Sequence, residues 1–255
     1  MSGRRGPSPA ASPFRPRHAV DGHPARPALP KPDRRLAPRQ AGDPHLQGRR
    51  PVARGGATRE RLLDIAEAGV LAKGFAGTSI DEIIAEAEIT KSGFFYHFRD
   101  KNELARALIQ RYLDTEEALL DQVFARAREL HEDPLHAFLI GLKLLAEMMA
   151  DLPNGHPGCL VATSAYAERM FDERVRELNR QAVEVWRARF LGMLEEIAAR
   201  HPPREPVDLR ALADMVSGAV EGGIILSKAM REPKLLSEQI LLVRTFVRLL
   251  FDAAA

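Results

Sequence analysis

The hydrophobic positions along the chain are spaced for helices rather than strands. From about Thr58 onward, apolar residues recur at intervals of three and four, and no window alternates with a period of two. Glycines, prolines and capping residues divide this region into nine segments. We therefore expect an all-α protein of nine helices, with a small N-terminal unit of three helices followed by a larger bundle.

The first predicted helix covers 58–73 and ends at Gly74, which suits a left-handed helix cap. Thr78 is expected to cap the second helix, with Asp81 as its partner three residues on. Thr90 is expected to cap the third. The remaining six helices are predicted at about 101–131, 134–152, 158–168, 172–200, 207–231 and 235–253.

The first 55 residues differ in composition from the rest. They carry 12 Lys and Arg against 3 Asp and Glu, together with 11 of the 18 prolines. Such a segment cannot bury enough apolar surface to offset the entropy of ordering it, so we predict that 1–55 is disordered. Two interpretations stay open: a basic arm that binds phosphates, or translated upstream sequence with the true start near Val52.

Composition also bears on the class of protein. No apolar run approaches the ~20 residues that span a bilayer, and no apolar core follows the first arginines as in a secretory signal. The single cysteine excludes an intramolecular disulfide framework and is typical of a reducing compartment. We expect a cytoplasmic protein with no membrane partner, no cofactor and no metal.

The second and third predicted helices, joined by a turn at 88–90, have the pattern of a helix-turn-helix. The third helix begins with Lys91 and Ser92, whose side chains can reach base edges or phosphates. Phe94 and Phe98 are spaced to anchor that helix in a core.

Charge does not favour non-specific binding of nucleic acid by this unit, because 56–105 contains 6 basic and 9 acidic residues. The acidic residues lie mostly in the first two helices, however. Lys91, Arg99 and Lys101 lie together beside the third. Phosphate contacts act locally at physiological salt, so this placement matters more than the total.

Four segments carry a resemblance to a known family. They are Arg61-Leu-Leu-Asp-Ile-Ala, Lys73-Gly-Phe, Thr78-Ser-Ile-Asp-Glu-Ile, and Lys91 to Leu104 with its Phe-Tyr-His-Phe-x-x-Lys-x-x-Leu core. Together they resemble the DNA-binding domain of TetR-type transcriptional regulators. The resemblance implies a helix-turn-helix domain over 56–104 and a ligand-binding and dimerisation domain over 105–255. It places DNA contacts at Thr78, Lys91, Ser92, Phe95, Tyr96, His97 and Lys101.

Two positions depart from the family pattern. Phe95 stands where a tyrosine is common, so it can make only apolar contacts, for instance with a thymine methyl group. Ser92-Gly93 stands where Gly-Thr or Gly-Ser is frequent. These departures leave the operator sequence open.

The last two predicted helices carry residues suited to pairing. The ninth has apolar residues at 4-3 spacing, widened by Leu242, Phe246 and Leu249, and the eighth has glycines where backbones can approach closely. Packing within one chain is the alternative. The resemblance implies a homodimer through these helices, with its predicted interface at Val216, Val220, Gly223, Ile240, Val243, Val247 and Leu250.

Helices four to seven are expected to enclose a pocket for a small-molecule effector. Methionines and aromatic residues suit a pliable apolar site, although each suits an ordinary core equally well. The predicted lining is Phe138, Leu142, Leu145, Met149, Cys159, Tyr166, Met170, Trp186, Phe190 and Met193. Cys159 has two interpretations: a small buried hydrophobe, or a sensor thiol whose pKa a helix N-terminus lowers.

The predicted function is a ligand-responsive homodimeric repressor that binds a palindromic operator and is released by a small, largely apolar molecule. An enzyme is the first alternative, because His131, Glu132, His136 and Glu147 offer metal-binding side chains. No Glu-x-x-His pair recurs on facing helices as a carboxylate metal bundle requires, however. The second alternative, a helical interaction module without DNA binding, leaves Lys91, Ser92 and Lys101 without a role.

Overall fold

The computed structural model describes the backbone of residues 50–251 and the side chains of residues 55–251. Residues 1–49 of the segment predicted to be disordered lie outside this range, whereas its last residues, 50–55, are helical. The start near Val52 stays a prediction. None of the described helices is long and apolar enough to cross a membrane.

The predicted all-α architecture is confirmed for the described residues, which form nine α-helices and one 3-10 turn. The helices are α1 (Arg50–Gly77), α2 (Ile80–Glu86), α3 (Lys91–His97), α4 (Lys101–Leu130), α5 (Pro134–Ala150), α6 (Leu160–Tyr166), α7 (Glu173–Arg200), α8 (Leu209–Met230) and α9 (Lys234–Phe251). The 3-10 turn, Glu168–Met170, joins α6 to α7.

The first helix starts earlier than its apolar stripe indicates, at Arg50 rather than Thr58. Pro51 does not prevent this, because a proline near a helix start removes an amide that has no intrahelical partner there. Near the other end, Gly74 leaves helical geometry, with φ 77° and ψ 167°. A side chain is strained in that conformation, so a glycine is required. The break turns the chain so that Phe75 is buried edge-on against Phe171, with ring centroids 4.9 Å apart.

The cap of α2 lies one residue later than predicted. Ser79, not Thr78, accepts the backbone N–H of Glu82, and the Glu82 carboxylate accepts the N–H of Ser79. This reciprocal pair leaves Asp81 exposed and outside the cap. Thr78 is buried instead and donates its hydroxyl to the Gly74 carbonyl. The pattern Thr-Ser-x-x-Glu therefore contains two candidate caps, and the glutamate selects the second.

One continuous helix, α4, joins the N-terminal unit to the bundle. Arg111, about a third of the way along it, pairs with Glu60, Asp64 and Glu67 on α1. Closer to its start, Arg106 pairs with Asp172 at the N-cap of α7, at 3.1 Å. The boundary predicted between residues 104 and 105 falls inside this helix, so no linker separates the two parts.

The C-terminal helices pack around α5. Phe124 of α4 lies so close to Gly141 of α5 that an added Cβ would stand 2.4 Å from its ring. Any larger residue at this crossing would separate the two helices. On its other side α5 contacts α9, and Arg244 of α9 donates to the Leu139 carbonyl.

Candidate nucleic-acid interface and internal cavity

The short helix α3 is fixed at both ends. Thr90 accepts the Gly93 N–H at its start, and Phe98 donates its N–H to the Phe94 carbonyl at its end. Phe94 and Phe98 are almost fully buried, so the two residues predicted to anchor the helix lie in the core. The opposite face of α3 is exposed to solvent.

The exposed face of α3 carries four of the residues predicted to contact DNA. Lys91 and Ser92 are exposed in its first turn, and Phe95 and Tyr96 follow with 43% and 82% of their surface accessible. The Lys91 ammonium lies 3.7 Å from Asp81, but both side chains are largely exposed. Such a pair is weak, so a phosphate can displace the carboxylate.

His97 is half-buried at the end of the same helix. Its ring contacts the Tyr96 ring edge-on, at 4.9 Å between centroids. This contact limits the rotation of Tyr96, whose own side chain is otherwise free. His97 therefore borders the exposed face rather than lying at its centre.

Thr78 and Lys101, the other two predicted contacts, point into the protein. The Lys101 ammonium donates to the carbonyls of Phe75 and Thr78, the latter at 2.7 Å. Desolvation lowers the pKa of Lys101, against a weaker opposing effect of Glu82. The assignment of DNA contacts to these two side chains is corrected: they hold the α1–α2 connection against the start of α4. Carbonyl groups near the end of a helix attract an ammonium in this way.

Arg99 is better placed to bind a phosphate than Lys101. Its side chain is 76% accessible and touches only the neighbouring Asp100, at 3.4 Å. The sequence places Arg99 beside the reading helix but gives no sign that it, rather than Lys101, is the free cation. That difference depends on which carbonyls surround each nitrogen.

A cavity of about 390 Å³ lies among α4, α5, α6, α7 and α8. Five of the residues predicted to line a pocket do so: Leu145, Met149, Cys159, Trp186 and Phe190. The other five lie elsewhere. Phe138 and Leu142 are buried in the core, Met193 lies with Phe138 beside a separate small crevice, and Tyr166 and Met170 are exposed. Tyr166 ends α6 and Met170 ends the 3-10 turn, where helical periodicity no longer indicates direction.

The cavity wall also contains polar residues that the sequence analysis missed. They are Tyr112, Glu116, His156, Asn179, Arg187, Asp214, Ser217 and Glu221. A signal was present for Glu116, which lies three residues after Leu113 and four before Leu120, both buried. A carboxyl on an apolar stripe faces the interior. Glu221 likewise lies three residues before a buried residue of α8, Ile224.

Cys159 caps α6 and accepts the Ala162 N–H on its sulfur at 3.4 Å. The helix start was expected to lower its pKa. Instead desolvation and the nearby Glu221 carboxyl raise the pKa of the thiol to about 12. The thiol stays protonated at neutral pH, so the reactive-thiolate interpretation is not supported.

Three potential metal ligands lie together where α4 ends and α5 begins. Nitrogen and oxygen atoms of His131, Asp133 and His136 lie within 4.8 Å of one another. The Asp133 carboxylate is already engaged: it caps α5 and hydrogen-bonds to His136 at 2.9 Å and His201 at 2.6 Å. The cluster therefore has a structural role, closing α5 against the end of α7.

The residues predicted as a dimer interface mostly face their own chain. Val216, Gly223, Ile240, Val243 and Val247 are buried, and Val220 and Leu250 are half-buried. The regular 4-3 stripe of α9 packs onto α5 and α8, so it was assigned to the wrong side of the helix. The residues that widen the stripe are the exposed ones: Leu242 at 60%, Phe246 at 46% and Leu249 at 58% accessible. Ile225, Leu226 and Met230 of α8 are exposed as well.

Comparison with known proteins identifies the arrangement. Residues 62–108 match the family model described as bacterial regulatory proteins, tetR family. The transcriptional regulator AcuR of Cereibacter sphaeroides is 28% identical over 210 residues, which cover 81% of this chain and 88% of AcuR. The helix-turn-helix region of this chain is that of the TetR family of transcriptional regulators. The family match starts inside α1 and ends inside α4, so it contains the whole helix-turn-helix.

Two further relatives extend the comparison. The HTH-type transcriptional repressor NemR of Escherichia coli K12 is 28% identical over 81 residues, covering 32% of this chain and 41% of NemR. The crystal structure of regulatory protein TetR from Rhodobacter sphaeroides has a TM-score of 0.63 at 26% identity, covering 76% of this chain and 98% of that one. Members of the TetR family bind DNA to regulate transcription and are not enzymes, so both alternative functions are set aside.

Proposed function

We propose that this TetR-family regulator is a homodimeric repressor that binds a palindromic operator and releases it when a small, largely apolar molecule enters the cavity. The observation that carries the proposal is the division of α3 into a buried face and an exposed face. Phe94 and Phe98 anchor the helix, while Lys91, Ser92 and Tyr96 are free to meet a duplex. The DNA-binding part comprises 56–104, and 105–255 binds effector and partner.

A single helix-turn-helix reads only a half-site, so useful specificity requires two. The exposed apolar residues of α8 and α9 support pairing through these helices. They lie on the two helices that end the described chain, which pack against each other, and soluble monomers rarely expose large apolar patches. A second copy that presents the same face would bury it symmetrically.

The helix α4 provides a physical link between effector and DNA. It begins beside α3, and Glu116, which faces the cavity, lies fifteen residues further on, or about 22 Å along the helix axis. Lys101 ties the α1–α2 connection to the start of α4. A ligand that prefers a different tilt of α4 would therefore shift the population of dimers away from the conformation in which the two helix-turn-helix units have the spacing that DNA binding requires.

Selection from a random duplex library tests the proposal. We expect the full-length protein to enrich an inverted repeat whose half-sites lie about one helical turn, or a multiple of it, apart. Enrichment of a single half-site would contradict the dimer, and enrichment of no sequence would contradict the repressor.

A further inference from the structure

The effector cavity contains two carboxyl groups that have no cationic partner among the described residues. Glu116 enters from α4 and Glu221 from α8, and both side chains are partly buried. Burial alone accounts for the raised pKa of Glu116. Glu221 has only the Cys159 thiol as a hydrogen-bonding neighbour, and its pKa is raised by desolvation as well.

Both carboxyl groups line the same cavity as Tyr112. Each of them adds to the raised pKa of the Tyr112 hydroxyl, after the larger effects of burial and of the Cys159 thiol. Ser217 lines the same wall, and its hydroxyl oxygen is buried without a hydrogen-bond partner in the described part of the chain. The wall therefore holds one unsatisfied hydroxyl, that of Ser217, and two carboxyl groups without a cationic partner among the described residues.

The one arginine in the wall is already neutralised. Arg187 forms a two-point ion pair with Asp214, at 2.6 and 3.1 Å. His156 has its pKa lowered by desolvation and, to a smaller extent, by Lys228, so it is uncharged at neutral pH. The ionisable groups of the wall that remain available to a charged ligand are the two glutamates.

The remainder of the wall is apolar and partly aromatic. It contains Leu119, Leu120, Leu145, Met149, Val161, Val183, Trp186, Phe190 and Ile224. Burial disfavours the charged form of both glutamates and raises the pKa of each. A cation that enters would favour the carboxylate form of both and gain Coulombic energy together with contact with the aromatic rings.

We propose that the effector is an apolar cation, such as a hydrophobic amine or quaternary ammonium compound, whose charge lies against Glu116 and Glu221 and whose body packs on Trp186 and Phe190. This assignment rests on the proposed function for its regulatory meaning. The binding site itself does not depend on it. An effector with a carboxylate or phosphate would place its charge against two acidic groups with no free cation to receive it.

Trp186 supplies a direct measurement, because it is the only tryptophan of the chain and it lines the cavity. Three probes of similar size separate charge from shape. They are benzyltrimethylammonium, its uncharged carbon isostere neopentylbenzene, and the anion 3-phenylpropionate. Titration of the full-length protein, followed by tryptophan fluorescence, is expected to show the cation binding at least tenfold more tightly than either other probe. Equal binding of the cation and its isostere, or tighter binding of the anion, would overturn the assignment.

Two isosteric variants locate the charge. Glu221→Gln and Glu116→Gln should each reduce the preference for the cation over neopentylbenzene at least fivefold, while affinity for neopentylbenzene stays within about twofold. Glu117→Gln is the matched control, because it removes the adjacent carboxyl of α4, which does not line the cavity. Loss of the preference in the control variant, or its retention in both test variants, would refute the site.

The same proteins separate this inference from the proposed function. DNA binding is measured without probe on the duplex enriched by selection, and both glutamine variants should bind it as the wild type does. If the protein binds DNA but shows no cation preference, only the effector assignment fails. If it prefers the cation but binds no duplex, the effector assignment stands and the repressor proposal fails.

Discussion

At the scale of single residues, two basic side chains two positions apart, Arg99 and Lys101, have different roles. The sequence leaves two roles open for Lys101. Its position matches a family DNA contact, which favours an exposed side chain like that of Lys91, but the same ammonium can also bind carbonyl groups of its own chain. The structure directs its ammonium to two backbone carbonyls, whereas Arg99 extends into solvent. Sequence similarity places the charge near DNA, but only packing decides whether it is free to bind.

Replacement of Lys101 by alanine should therefore destabilise the protein. The carbonyls of Phe75 and Thr78 would lose a charged donor, which costs about 1–3 kcal/mol of the free energy of unfolding. Urea unfolding measures this. Arg99→Ala is the matched control, and should change stability by less than about 0.5 kcal/mol. It should lower the slope of log affinity for DNA against log salt by roughly one unit. A stable Lys101→Ala protein with the reduced slope would restore Lys101 as the phosphate contact.

A second residue-scale prediction concerns Asp133 and pH. Burial raises the pKa of Asp133, but hydrogen bonds from His201 and His136 outweigh it and hold the pKa well below its usual value. A lowered pKa in the folded state stabilises the protein above the unfolded pKa, about 4, and the gain is lost as pH falls below it. Asp133→Asn keeps a good helix cap but removes the charge.

We expect Asp133→Asn to lower the free energy of unfolding by roughly 1 kcal/mol at pH 7, with a smaller difference at pH 3. Urea unfolding at the two pH values measures both differences. An effect of equal size at both would show that the charge of Asp133 does not contribute.

At the scale of elements, the helix-turn-helix depends on short helices whose ends are capped. A helix of seven residues is not stable alone, so α2 needs both its buried Ile83 and the reciprocal cap of Ser79 and Glu82. Ser79→Ala should cost about 1 kcal/mol and Ser79→Asp much less, because an aspartate caps equally well. Thermal unfolding compares the two. If Ser79→Ala left the unfolding temperature unchanged, Ser79 would not be the functional cap.

The elements were predictable to the extent that periodicity and caps specify them. Phe94 and Phe98 were placed correctly because their spacing matches one helical face. The start of α1 was missed because Arg50 to Ala57 carries no apolar stripe. The side of α9 was misassigned because its apolar surface extends around more than half the helix. A wide apolar stripe indicates that a helix is buried on two sides, but it does not show which side packs within the chain and which faces a second copy.

The lining of the cavity could likewise be predicted only in part from the sequence. Leu145, Met149 and Phe190 were found because large apolar residues were expected in a pocket. Glu116 and Glu221 were passed over because a glutamate in a helix is usually solvated. The sequence does show each of them at a buried position of its helix. What it does not show is that α4 and α8 bring the two together.

At the scale of the whole molecule, the exposed apolar face of α8 and α9 predicts the dimer. Phe246→Glu would place a charge on this face, so sedimentation should show monomers at concentrations where we expect the wild type to be dimeric. The unfolding temperature of the Phe246→Glu variant should fall only by the amount that dimerisation contributes. Leu130→Glu is the control, because Leu130 is similarly exposed at the end of α4, away from this face. A dimeric Phe246→Glu protein would place the interface elsewhere.

The central claim is that the exposed face of α3 reads DNA. The most direct test is the affinity of Lys91→Ala and Tyr96→Ala for the selected duplex, measured beside thermal stability. Both side chains are exposed, so we predict an unchanged unfolding temperature with at least a tenfold loss of affinity for each variant. Wild-type affinity in both variants, with stability also unchanged, would contradict the assignment of α3 as the reading helix.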